Sequence, residues 1–146
     1  MKKEQINEQY KLSWDETWFL EKLVFDEKMI LEIHLILGQE ESATDLLVAN
    51  VNLGPAFPVV RDPSKKVIIR FFQPLTFQRL DESFASEKGG IHTGQRFSIY
   101  TESEYLRYFE KVSFGLIEKP IQHYCLTCAD DIIDILSCDP PEIQIA

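Results

Sequence analysis

From Met29 to Leu37 the odd positions are Met29, Leu31, Ile33, Leu35 and Leu37, with Glu32 and His34 between them. Period two of this kind marks a strand with one buried face. Residues 18–25 are apolar on both sides, interrupted by Glu21 and Lys22, and Asp26-Glu27-Lys28 makes a turn, so the two runs read as a hairpin. Polar residues 38–44 read as a loop and 46–54 as a third strand. Pro55 and Pro58 rule out helix interior over 54–58. Asp62-Pro63 starts a turn over 62–66, and the β-branched and aromatic run 67–72 suits a central strand. Pro74 breaks it, 75–80 resumes an extended pattern, and Gly89, Gly90 and Gly94 mark a flexible loop over 85–95.

One helix is signalled, around 102–112. Thr101 stands three residues before Glu104, the spacing of a capping box. Glu102 and Glu104 suit the first turn and Lys111 the last, by the helix dipole. Tyr105, Leu106, Phe109 and Val112 form one apolar stripe, and Gly115 is available as a stop. Strands follow around 123–128 and 132–137, the second with Asp134 facing solvent, before the Pro140-Pro141 break. Many strands and one late helix predict a mainly β, α+β chain: an antiparallel β-sandwich or bent sheet with the helix against one side. With no repeat and no shift of composition, 1–146 reads as one domain.

Composition narrows the function classes. A chain of this length buries roughly 70% of its unfolded surface and needs neither metal nor disulfide to hold it. No apolar run reaches the roughly 20 residues of a spanning helix, and residues 1–8 lack the apolar centre of a leader. An odd cysteine count then favours a reducing, cytoplasmic setting. The net charge is −9, and after Lys119 the chain carries Asp130, Asp131, Asp134, Asp139 and Glu142 with no base. Such a field repels nucleic acid and anionic membranes; it either steers a basic protein inward or simply keeps an acidic chain soluble. Asp130, Asp131 and Asp134 are accordingly the expected partner-binding residues, and a homo-oligomer stays open.

The order His123-x-Cys125-x2-Cys128-x9-Cys138 raises a zinc site. Leu126 and Thr127 between the thiols favour a pleated strand over a knuckle, and on a strand residues three apart point to opposite faces. Two sulfurs on opposite faces cannot hold one ion, so no metal and no cofactor is expected, and the cysteines read as small buried side chains. Redox chemistry is disfavoured because Asp130 and Asp131 would raise the thiol pKa. Segment 130–136 lacks the alternating ligands and glycine of a calcium loop. A Ser83–His123–Asp131 hydrolase has no nucleophile elbow around its serine. His34 and His92 read as solvated. The pairing of Glu82 with Ser83 inside Phe77, Leu80 and Phe84 marks either a backbone cap or a groove.

Three blocks, 77–86, 94–114 and 123–143, resemble the successive blocks of a widespread family of small bacterial domains of unknown function. Glu82, Ser83, Gly94, Tyr100, Ser103, Leu106, His123, Tyr124, Cys128, Asp134, Ser137 and Pro141 fall on its pattern, whereas Cys125 and Cys138 lie outside it. The resemblance implies Ser103 at the start of the helix and, from the gene neighbourhoods of such domains, an immunity-type binding role. Two hypotheses follow. One is a binding domain recognising a basic partner. The other is a small hydrolase using His123 with Glu82 or Asp134, and an aromatic-rich sheet enclosing a small ligand is a third.

Overall fold

A computed structural model of the chain describes residues 16–40, 44–56, 59–85, 90–93 and 96–145. Its first sheet has the order β1-β2-β5-β11, built from Trp18–Phe25, Ile30–Glu40, Val59–Phe72 and Glu142–Ile145. Its second has the order β6-β10-β9-β8-β7, from Thr76–Asp81, Asp131–Ser137, Gln122–Thr127, Phe97–Glu102 and Ile91–Thr93. All pairings are antiparallel. A separate hairpin joins β3 (Thr44–Val48) to β4 (Val51–Ala56). One α-helix, α1, spans Glu104–Val112. The expected class, mainly β with one late helix, is the observed one.

The two sheets share a core because period two puts one face of each inward. Leu23, Ile33, Ile69 and Ile143 lie in register across the four strands of the first sheet. Ile99, Tyr124, Ile135 and Phe77 do the same across β8, β9, β10 and β6. Both rows belong to one apolar cluster, with Phe71 edge-on to Tyr124 at 5.2 Å between the sheets. Each fully buried side chain of this size contributes roughly 1.5–3 kcal/mol. Ala129 N–H donates to Trp18 O at 2.8 Å, tying the β9–β10 turn to β1.

Several boundaries differ from expectation. β2 continues through Gly38 to Glu40 and β3 begins at Thr44, so these residues of the expected loop are strand, and 41–43 lie outside the described residues. The run 46–54 is two strands, not one: Ala49 and Asn50 both take positive φ, 50° and 64°, and turn the chain back. That pair of left-handed residues is the geometry of a tight hairpin turn. The turn at 62–66 lies inside β5 as a bulge, where Leu37 pairs with Asp62 and Ile36 with Lys66. Asp62 Oδ1 accepts from Ser64 N (3.1 Å) and Oγ (2.6 Å), and Pro63 is tolerated because a bulge needs no ladder donor. α1 is capped by Ser103, not Thr101: its Oγ accepts from Leu106 N at 3.1 Å. The expected glycine loop contains β7, while Gly89 and Gly94 lie outside the described residues, as does Pro58. Among the described residues no helix is long and apolar enough to cross a membrane.

Candidate functional site

The outer face of the second sheet is as buried as its inner one, because α1 lies over it. Tyr100, His123, Leu136 and Thr76 form one row across β8, β9, β10 and β6. Ser98, Cys125, Asp134 and Gln78 form the next. His123 and Asp134 are therefore diagonal neighbours on one face, within reach of long side chains. His123 Nε2 and Asp134 Oδ1 are 2.7 Å apart, and Gln78 Nε2 donates to Asp134 Oδ2 at 3.0 Å. On the other ring nitrogen, Nδ1 lies 2.7 Å from Ser103 Oγ. Tyr100 stacks on the imidazole at 4.8 Å and Tyr105 meets it edge-on at 5.4 Å. The Tyr105 hydroxyl then reaches Thr76 Oγ1 at 3.1 Å.

Gln78, Asp134, His123 and Ser103 thus form one continuous polar relay. An ionised Asp134 accepts at both oxygens, which assigns a proton to His123 Nε2. Ser103, His123 and Asp134 are exposed by only 4%, 1% and 0%. The order hydroxyl–imidazole–carboxylate is that of a nucleophile, its base and the group that orients the base. Here the hydroxyl oxygen also caps α1. The cavity of about 380 Å³ beside the helix is lined by Thr101, Leu106, Glu110, Ile117 and Ile121 among others, not by the relay. The arrangement fixes helix to sheet and seals a polar network beneath it.

The expected site residues separate. Asp134, expected to face solvent and to bind a partner, is buried in the relay. Sequence already held the signal: Ile132 and Leu136 flank it on its own face, so β10 is apolar on both sides and Asp134 belongs inside. Ser103 and Gln78 were not assigned to His123, since strand register and the helix cap bring them there. Glu82 and Ser83 are exposed, on a 3₁₀ turn (Glu82–Phe84) after β6. Asp81, the residue before that turn, pairs with Asp131, three residues or roughly 10 Å along β10 from Asp134. Glu82 and His123 are not brought together, nor are Ser83 and His123.

Asp81 caps the 3₁₀ turn, and the Ser83 N–H donating to Oδ1 (2.9 Å) holds its carboxyl below the usual range. Glu82 N–H donates to Asp130 O at 3.1 Å, so Asp81, Glu82 and Asp130 share one corner. Asp131 is paired with Arg79. Phe84, on the same turn, is 81% exposed.

Cys125 packs with Tyr100 and Ile132 on the helix side of β9, while Cys128 sits in the core between the sheets. The thiols are on opposite faces, as the pleat requires. Burial, aided by Asp131, pushes Cys128 up to about 12 and keeps it a thiol. Cys138 is half-buried beyond β10. His34, expected to be solvated, is mostly buried; its Nε2 is shielded from water and 3.9 Å from Glu32 Oε1. The His92 side chain lies outside what the structure describes. Compared with family models, with curated proteins and with solved structures, the chain matches none.

Proposed function

We propose that this chain is a protein-binding domain of the immunity type, recognising a basic partner at the corner where the 3₁₀ turn meets the start of β10. The observation that carries this reading is that Asp81, Glu82 and Asp130 share one corner whose 3₁₀ turn also carries Phe84, an aromatic side chain almost wholly in solvent. An exposed aromatic side chain beside several carboxylates suits a hot spot on an oppositely charged surface. The net charge of −9 extends the same attraction to long range. Asp130 keeps its expected role, Asp131 is largely neutralised by Arg79, and Asp81 and Glu82 take the place of Asp134.

The test is to capture partners by cross-linking in the native cell, purify the partner and measure its affinity directly. Glu82→Lys with Asp130→Lys should weaken binding by about tenfold or more and flatten its salt dependence. An acidic partner, or one bound equally well by the double variant, rejects the reading.

A second reading, a hydrolase, is favoured by one observation, the unbroken Ser103–His123–Asp134 chain. It requires α1 to lift from the sheet. Labelling by a fluorophosphonate probe, abolished in Ser103→Ala, would establish it. An inert Ser103 in the folded protein removes it. The ligand-carrier reading gains nothing from the interior, where Tyr124, Phe71 and Phe97 fill the space between the sheets at 0% exposure.

A further inference from the structure

The hairpin of β3 and β4 belongs to neither layer, and no other described strand or helix packs extensively on it. At its foot, the rows Gly38–Arg61, Gln39–Val60 and Glu40–Val59 of the β2–β5 ladder lie past the last row of β1, Trp18–Leu37. The two-residue turn at Ala49-Asn50 makes Val48 and Val51 direct partners on one face. Leu46 and Leu53, two residues further along each strand, lie on that same face. All four are between 47% and 61% exposed. The other face carries Leu47 opposite Asn52, and Asn52 Nδ2 donates to Asp45 Oδ2 at 3.2 Å. The hairpin is therefore amphipathic, with its apolar face in water. A two-stranded hairpin is marginal on its own and becomes stable when such a face is packed.

We propose that two copies of this chain associate by packing these hairpins apolar face to apolar face. Charge selects the occupant. A chain of net charge −9 repels its copies, yet residues 46–60 form its longest run without a charged side chain. In this stretch two copies can close without bringing like charges together. The same run offers no carboxylate to a basic partner, and neither a base nor Trp or Tyr to a membrane surface. A face of Leu and Val alone is complementary to itself, as a twofold interface must be. The association uses the face and not the edge. On β4, Pro55 has no N–H and the Gly54 N–H is taken by Asn52 Oδ1 at 2.8 Å, so an added strand finds neither donor. Pairing along the β3 edge would leave the apolar face in water. A face once covered is consumed, so assembly stops at two copies. The surface is separate from the acidic corner and does not depend on it.

Sedimentation velocity over a concentration series tests this. Wild type should be a dimer that dissociates on dilution, and its association should strengthen with salt, which screens the repulsion between copies. Val51→Lys and Leu53→Lys should each weaken association by about 30-fold or more, with far-UV circular dichroism showing that both remain folded. Leu47→Lys is the control. Leu47 is more exposed than any of the four, but it lies on the other face, so the dimer should persist within about threefold. A wild type that is monomeric throughout overturns the proposal. So does a dimer indifferent to both variants, one that Leu47→Lys weakens as much, or one that salt dissociates. Binding of wild type to phosphatidylcholine vesicles, abolished by Leu53→Lys, overturns it as well.

Discussion

The two ends of α1 invert the usual distribution of side chains. At its start, Ser103, His123 and Asp134 are polar and sealed from water; at its end, Phe114 and Leu116 are apolar and exposed. At the first end every polar group invoked has a partner at 2.7–3.1 Å, so the burial is compensated. At the second end Phe114 takes φ 54°, a left-handed region that a bulky side chain occupies only at a cost, and presents a ring that nothing within the described chain covers. Polar groups inside that are fully paired serve the fold. Apolar groups outside that cost strain do not.

The largest test of this contrast is His123→Ala. It leaves Asp134 buried without its main partner and should cost about 3–5 kcal/mol, read by urea unfolding. A cost under about 1 kcal/mol would mean that water enters the relay and the first end is not sealed. Ser103→Ala removes the helix cap and one ring partner together, and should cost about 1–2 kcal/mol with the sheets intact by near-UV circular dichroism. Alkaline pH probes the interior without mutation. Cys128 and Tyr124 are both raised to about 12 by burial, from 9.0 and 10.0. Below those ordinary values folded and unfolded chains hold the same protons; above them only the unfolded chain loses them. Stability should therefore be constant up to about pH 9 and fall beyond it, by about 1 kcal/mol over the first unit from Cys128. Cys128→Ser should remove the first part of that fall. The smallest effect, and of opposite sign, belongs to the other end. Phe114→Gly should raise stability by roughly 0.5–1 kcal/mol at a protein concentration too low for self-association. A loss there would show that the ring packs against its own chain.

Period two made β2 legible, and apolar or extended runs bounded by turn residues marked β1, β6, β9 and β10. It failed for 46–54, where alternation runs through Ala49-Asn50 and only backbone φ reveals the reversal. It failed again at 62–66, where Asp62 builds a local turn that the ladder absorbs as a bulge. The helix was found from its stripe, but Thr101 and Ser103 both precede an acid-rich turn, and strand β8 claims Thr101. His123 and Asp134 were visible as candidates. Their union was not, since it depends on the register of β9 with β10 and on a helix laid across both. Asp134 was sent outward because polarity outweighed the two apolar neighbours on its own face.

The path of the chain between the sheets has a further consequence. After β5 it leaves the first sheet, completes all five strands of the second, and only then returns to set β11 beside β5. The first layer cannot be finished until the chain has passed through the whole of the second, so its β5–β11 pairing is long-range and folding should be slow. A protease nick in the turn after α1 would not release two self-sufficient halves: the fragments should stay clasped until both melt in a single step.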